Sequence, residues 1–135
     1  MKKLAQFALG LCVLTALAGL ASAAPRATGK IAFVRSAHGP ERIWVMSMNG
    51  MRQRALTPVT MSAETPELSR DGRRIVFSRL IATTATVQHD IYVVNVDGSG
   101  LRRLTFGARD ETAPTWSPDG RRIAYEANTG KQYDV

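Results

Sequence analysis

The sequence predicts an all-β protein made of β-propeller-type blades, each of four antiparallel strands. The segment Asp71–Phe77 returns as Asp119–Tyr125, 48 positions later, and Pro66 and Pro114 keep the same displacement. Between turn signals the chain holds only short runs rich in Ile, Val, Phe, Tyr and Thr, without the 3.6-residue apolar period of a helix. Repeats of roughly 40–50 residues built from short strands are typical of propeller blades, which bury their faces against neighbouring blades.

The first 24 residues have the pattern of a secretory signal peptide. Met1-Lys2-Lys3 is followed by an apolar run from about Phe7 to Leu20 and by the small residues Ala21–Ala24. The alternative is an uncleaved membrane anchor, but the apolar run is short for a bilayer span. We therefore predict a cleaved signal helix over residues 1–24, no membrane span after cleavage, and a periplasmic domain over residues 25–135.

Cysteine and charge set limits on the exported domain. Cys12 lies in the signal, so the domain has no cysteine and is stabilised by packing rather than by disulfides. Without Lys2 and Lys3 the chain keeps 16 basic and 11 acidic side chains. Such an excess can indicate a nucleic-acid partner.

Six arginines stand in pairs, each just after a glycine-containing turn: Arg73-Arg74, Arg102-Arg103 and Arg121-Arg122. Successive strand residues point to opposite faces of a sheet, so the pairs are not expected to line one stripe. Protection of strand edges and turn hydrogen bonding explain them without a ligand. We therefore predict no nucleic-acid partner.

One repeat unit is complete in the sequence. Its four strands are predicted at Thr65–Ser69, Arg74–Arg79, Asp90–Asn95 and Leu101–Thr105. Three strands precede this unit, and two strands with the start of a third follow it. The prediction is therefore an incomplete ring of about two and a half blades.

The connectors fall into two classes. Tight turns join the first strand of a blade to the second and the third to the fourth, as in Pro118-Asp119-Gly120 and its counterpart Asp71-Gly72. Longer connectors are predicted at Ser36–Arg42, Leu80–His89, Pro58–Glu64 and Phe106–Ala113. In an up-and-down blade all long connectors reach the same rim, where binding residues usually lie.

That loop-bearing rim supplies the candidate partner-binding residues: His38, Glu41, Arg42, His89, Asp90, Arg109, Asp110 and Glu111. We assign structural roles in turns and blades to Asp71, Gly72, Trp116, Pro118, Asp119 and Gly120. The two histidines occupy equivalent loops of successive units, which could suggest a metal site, but zinc needs three or four donors. We predict no metal, no cofactor and no catalytic residue.

Motifs for catalysis are missing from the sequence. It has no Gly-x-Ser-x-Gly nucleophile elbow, and Gly98-Ser99-Gly100 lacks the third glycine and following helix of a dinucleotide-binding loop. Turn chemistry accounts for both glycines. The prediction is therefore a protein that is not an enzyme.

The segments Thr115–Tyr125 and Ile91–Gly100, followed by Leu104-Thr105, closely resemble the TolB-type β-propeller repeat. The resemblance covers about Gly29 to Val135. Its first copy departs from the pattern at Leu68 and Arg70. The resemblance implies a periplasmic protein of Gram-negative bacteria that binds proteins of the cell envelope, with the peptidoglycan-associated lipoprotein as the candidate partner.

Two departures leave alternatives open. TolB-like proteins of the Tol system carry an α/β domain before the propeller, whereas these repeats begin soon after Pro25. A ring also needs at least four blades, or ~160 residues. Either copies associate to close a ring, or the chain is part of a longer protein. That longer protein could be an enzyme of the prolyl-oligopeptidase or sugar-lyase kind, or the chain could be a non-functional fragment.

Overall fold

The computed structural model describes residues 29–36, 39–84 and 86–128, together with the backbone of residues 133–134. Within these ranges the chain forms ten strands and no helix. The strands are β1 Lys30–Arg35, β2 Arg42–Ser47, β3 Arg54–Ala55, β4 Ala63–Leu68, β5 Arg74–Ala82, β6 Val87–Asn95, β7 Arg102–Arg103, β8 Asp110–Trp116, β9 Ile123–Asn128 and β10 Tyr133–Asp134. The predicted signal helix lies outside the described residues. In the part of the chain that is described, no helical segment reaches the length and apolarity needed to span a membrane.

The strands form three antiparallel sheets. Blade 1 has the order β1-β2-β3, blade 2 has β4-β5-β6-β7, and blade 3 has β8-β9-β10. Neighbours in each sheet are also neighbours in the chain, which is the up-and-down topology of a propeller blade. The prediction of an all-β partial propeller with one complete blade is confirmed.

The connector predicted at Leu80–His89 is wrong, because most of it is strand. The β5–β6 ladder continues in register to the pair Ala82–Val87, and the turn between them spans only residues 83–86. Thr83 N donates to Thr86 O at 2.8 Å and closes the hairpin. Ladder hydrogen bonds form whatever the side chains are, and Leu80, Ile81 and Val87 at the extended ends of β5 and β6 are apolar, with Ile and Val favouring strands.

The two outer strands of blade 2 also differ from the prediction. The strand predicted at Thr65–Ser69 is β4, Ala63–Leu68, and the strand predicted at Leu101–Thr105 is the two-residue β7. A bulge explains the early start of β4, since its pairing with β5 shifts between Glu64 and Glu67. The extra residue of a bulge bends the strand and displaces its register.

The bulge is itself repeated. Thr65 has φ 46° and Ala113 has φ 49°, each directly before a proline, and β8 shifts register between Thr112 and Thr115 as β4 does. Positive φ is rare for residues with a Cβ, so two such residues 48 positions apart mark a shared backbone feature of the first strand. Proline fits at the next position, because the bulge interrupts the ladder there and the partner strand does not need the N–H that proline lacks.

A continuous apolar cluster joins blade 1 to blade 2. Its buried members are Ile43, Val45, Leu56, Met61, Ala63, Ile75, Phe77, Tyr92 and Val94. Phe77 and Tyr92 lie opposite each other in the β5–β6 ladder, and their rings stack with centroids 5.9 Å apart. Alternation along β5 and β6 turns the buried residues Val76, Ile91 and Val93 to the other face of blade 2, against which β8 packs.

The connectors lie on two rims, one at each end of the strands. The tight-turn rim holds the connectors β2–β3, β4–β5, β6–β7 and β8–β9, which span residues 48–53, 69–73, 96–101 and 117–122. The crossing rim, at the other end of the strands, holds the connectors β1–β2 and β5–β6 and the blade-to-blade crossings β3–β4 and β7–β8, which span residues 36–41, 83–86, 56–62 and 104–109.

Candidate functional site

The blade 1 part of the crossing rim uses its polar residues to hold a crossing in place. Arg42, the first residue of β2, donates from Nε and Nη2 to Thr57 O at 2.9 and 2.5 Å. Glu41 is exposed, and its carbonyl accepts a hydrogen bond from Ala63 N at 2.8 Å. His38 lies outside the described residues. Of the two described candidates here, Glu41 has the carboxylate that is open to a partner, whereas Arg42 is engaged with Thr57.

The most polar junction of the rim lies between blades 2 and 3, at His89. The prediction placed this residue on a loop, but it lies within β6. Its Nδ1 is 2.7 Å from Asp110 Oδ1, which also accepts a hydrogen bond from His89 N at 2.8 Å. An ionised carboxylate only accepts, so Nδ1 carries the proton. One aspartate of blade 3 therefore holds both the backbone and the side chain of a histidine of blade 2.

A third residue of this cluster, Glu64 on β4, was missed by the sequence analysis. Its Oε2 lies 3.8 Å from His89 Nε2 on the side of the ring opposite Asp110. The in-register pairs Glu64–Ser78 and Leu80–His89 place both side chains on the face of blade 2 that is turned toward blade 3. Only the bulged register of β4 brings Glu64 there, and the sequence alone does not specify that register.

Asp90 was predicted as an open rim residue and is instead completely buried. Its Oδ2 lies 2.7 Å from Arg103 Nη2, an ion pair without hydrogen-bond alignment, so neither carboxylate oxygen has a hydrogen-bond partner among the described residues. Arg103 also donates from Nε to Thr105 O at 2.7 Å. Asp90 is therefore an internal counter-charge and does not reach a partner.

The run Arg109–Glu111 was predicted as a charged loop, and the structure divides it. Arg109 is exposed in the β7–β8 crossing, whereas Asp110 and Glu111 are the first residues of β8. Glu111 is only 7% exposed and takes the place in blade 3 that Ala63 occupies in blade 2. Successive strand residues point to opposite faces, so the side chain of Glu111 is turned into the junction while that of Asp110 stays partly exposed. Only Arg109 and part of Asp110 remain available on the surface.

Exposed apolar side chains lie on the same rim as these polar groups. Val59, Val87 and Phe106 are 65%, 69% and 74% exposed. Val59 and Phe106 lie in the blade-to-blade crossings, and Val87 is the first residue of β6, next to the β5–β6 turn. The guanidinium of Arg103 lies 4.7 Å from the centre of the Phe106 ring. An exposed ring beside a cation, on the same rim as a histidine–carboxylate cluster, is a composition typical of the contact residues of protein interfaces.

Within the described ranges, no group of three or more His, Cys, Asp or Glu side chains is arranged to bind a metal ion. Nδ1 of His89 is engaged by the carboxylate of Asp110, and the side chain of His89 is only 18% exposed. The arrangement is suited to fixing two blades and presenting a polar surface.

The tight turns have an almost identical hydrogen-bond pattern in the two repeats. Asp71 Oδ1 accepts from Ser69 Oγ at 2.6 Å and from Arg73 N at 3.0 Å, and Asp119 makes the same bonds to the same distances in its own turn. Gly72 and Gly120 both have φ 67°, a conformation that glycine adopts without strain. Hydrogen bonds from the serines lower the pKa of both aspartates below the usual value.

Trp116 and Pro118 belong to the blade 2–3 junction on the tight-turn side. Trp116 Nε1 donates to Glu67 O at 3.3 Å, and the guanidinium of Arg74 lies 4.6 Å from its ring centre. Pro118 lines a shallow cavity of about 250 Å³ between the β4–β5 and β8–β9 turns. These contacts connect the two repeats.

The comparisons with known proteins agree with this architecture. A family model described as the TolB beta propeller domain matches residues 25–134. A solved structure assigned as TolB from Agrobacterium tumefaciens is similar over 78% of this chain, with 26% identity and a TM-score of 0.65. The chain spans 36% of the length of that structure. No curated protein matches this chain.

Proposed function

Because this chain belongs to the TolB β-propeller family, we propose that it acts in the periplasm as a non-enzymatic, protein-binding module of the cell envelope. The observation that carries the proposal is the crossing rim. There the side chains of Val59, Val87 and Phe106 are exposed, and the same rim carries the His89–Asp110 pair on a strand scaffold. Apolar anchors beside oriented polar groups are what protein partners recognise.

The partner that the family resemblance implies is the peptidoglycan-associated lipoprotein. Phe106 is the natural anchor, because it is the most exposed large apolar residue of the described chain and Arg103 orients its ring. Glu41 and Arg109 would lie at the polar edge of such a contact. This is a role in binding, and the proposal assigns no turnover to any residue.

The test is the affinity of the purified chain for the soluble domain of the peptidoglycan-associated lipoprotein, measured by isothermal titration calorimetry. Phe106→Asp should weaken binding by tenfold or more, since removing an interface anchor costs about 2 kcal/mol or more. The matched control is Met51→Asp, at a residue of similar exposure on the tight-turn rim, which should leave the affinity within a factor of two.

Equal effects of the two variants would contradict the assignment of the crossing rim. If the lipoprotein does not bind at all, a photo-crosslinking residue at position 106 should still yield an adduct with an envelope protein, and one at position 51 should not. If the lipoprotein does not bind and position 106 yields no adduct, the support for a protein-binding role is removed.

A further inference from the structure

Basic side chains gather on the tight-turn rim, away from the crossing rim discussed above. The β2–β3 turn carries Arg52 and is followed by Arg54, while the β4–β5 turn carries Arg70 and Arg73 and is followed by Arg74. All of these residues except Arg74 are exposed. Five guanidinium groups therefore lie at one end of two adjacent blades.

The remaining turns add charges of the same sign. Arg102 follows the β6–β7 turn, and the β8–β9 turn carries Arg121 and Arg122, all three of them exposed. Lys30, at the start of β1, belongs to the same rim, because its Nζ donates to Gly72 O at 3.4 Å. Among the described residues, the rim thus holds nine basic side chains.

Only three acidic side chains lie in these turns, and each is engaged in its own turn. Asp71, Asp97 and Asp119 all accept hydrogen bonds from a serine hydroxyl and from a backbone N–H. No ion pair joins a basic side chain of the rim to an acid within the described residues. The rest of that part of the chain has five basic and seven acidic side chains, of which Glu67 lies next to the β4–β5 turn and accepts a hydrogen bond from Trp116 N through its Oε1. The positive excess is therefore confined to one end of the blades.

Hydrogen bonds connect the turns into one continuous surface. Val96 N donates to Arg73 O at 2.9 Å and connects the β6–β7 turn to the β4–β5 turn. Arg54 Nη2 donates to Val96 O and connects the β2–β3 turn to the β6–β7 turn. Arg74 Nη2 donates to Gly120 O at 3.1 Å and connects the β4–β5 turn to the β8–β9 turn. Paired arginines alternate between the faces of a strand, yet they share a rim because every pair follows a turn at the same end of its blade.

The rim also carries exposed apolar side chains. Met48 and Met51 of the β2–β3 turn are 55% and 67% exposed, directly beside Arg52. Clustered basic groups with adjacent apolar side chains suit an anionic bilayer, whose phosphates lie in a plane above an apolar interfacial zone. A nucleic acid would attract the charges but offers the methionines no comparable zone.

We propose that the tight-turn rim docks on the surface of an anionic lipid bilayer. The arginines contact headgroup phosphates, for which the planar guanidinium is well shaped, and Met48 and Met51 enter the interface. The protein-binding crossing rim is at the opposite end of the strands, so it would face away from the membrane. Membrane docking does not depend on the function proposed above.

The experiment measures sedimentation of the full chain with phosphatidylcholine vesicles prepared with and without phosphatidylglycerol. We expect binding only to the vesicles with phosphatidylglycerol, and loss of binding at high salt. Arg73→Gln combined with Arg121→Gln removes two exposed charges at equivalent positions of the repeat. Each charge near an anionic surface contributes about 1 kcal/mol, so this variant should bind roughly 30-fold more weakly.

The matched control, Arg35→Gln combined with Arg109→Gln, removes two exposed charges outside the tight-turn rim and should bind within a factor of three of the wild type. Met51→Ser should weaken binding several-fold while leaving the salt dependence unchanged. Circular dichroism confirms that each variant is folded.

Three results would overturn the proposal. One is binding to phosphatidylcholine alone with equal affinity, and a second is an equal loss of binding in both double arginine variants. The third is displacement of the protein from the vesicles by duplex DNA when the concentration of DNA phosphate is below that of lipid phosphate. This result would assign the rim to nucleic acid.

Discussion

Blade 2 meets its two neighbours in different ways. Toward blade 1 it contributes to nine buried apolar residues, including Phe77 and Ile43, both completely buried. Toward blade 3 the apolar patch is smaller, and polar contacts lie at both ends: His89 with Asp110 at the crossing rim, and Trp116 with Glu67 at the tight-turn rim. Repeat units with the same topology can thus be joined by either kind of junction.

The difference separates stability from orientation. Apolar burial is non-directional and grows with the area removed from water, so the blade 1–2 junction supplies most of the free energy that holds adjacent blades together. Hydrogen bonds are directional and contribute less net free energy, so the blade 2–3 junction is better suited to setting the position of one blade against the next. The candidate site lies at that second junction, where position matters for recognition.

The largest expected effect is the loss of Phe77. Phe77→Ala should lower the free energy of unfolding by about 3–5 kcal/mol, because it removes a buried ring and leaves a cavity. Tyr125, the equivalent residue of blade 3, is only half-buried, so Tyr125→Ala should cost less than half as much. Urea denaturation followed by tryptophan fluorescence measures both, and equal losses would show that the junctions are equally strong.

A smaller effect is expected from the coupling of His89 to Asp110. A double-mutant cycle with His89→Ala and Asp110→Ala should give a coupling free energy of roughly 0.5–1 kcal/mol, reduced by salt because the aspartate is partly exposed. The control cycle pairs His89→Ala with Glu64→Ala, whose atoms are 3.8 Å apart, and should give less. A larger coupling for Glu64 would reassign the main partner of the histidine.

The smallest effect concerns the acid sensitivity of the tight turns. Serine hydroxyls hold the pKa values of Asp71 and Asp119 below their usual range in the folded protein. Their stabilising contribution is therefore complete above the unfolded carboxyl pKa and is lost as the pH falls through the lowered folded values. Asp71→Asn combined with Asp119→Asn should narrow the difference in melting temperature between neutral and strongly acidic pH, and an unchanged difference would contradict this explanation.

Prediction from the sequence succeeded where the chemistry is local. Asp119-Gly120 specifies its turn through a side-chain acceptor and a glycine at positive φ, and the repeated copy at Asp71-Gly72 has the same geometry. The number of blades and strands followed from such turns. The length of the β5–β6 hairpin did not, because the three threonines between Ala82 and Val87 mark a turn without showing how far the ladder extends on either side of it.

Prediction of the site was less complete. His89 and Asp110 were both named, but their contact across a blade junction was not predicted, and Glu64 was absent from the candidates. Asp90 and Glu111 were expected on the surface and are buried. Strand alternation assigns a face only after the register is known, and the bulges in β4 and β8 shift that register by an amount that no local pattern encodes.

The sequence by itself determined the repeat, the all-β class and the turns, because each depends on residues a few positions apart along the chain. The tertiary structure alone decided which charges are buried and which side chains meet between blades. Those properties depend on residues distant in sequence, whose proximity is set by ladder register and by the stacking of one blade on the next.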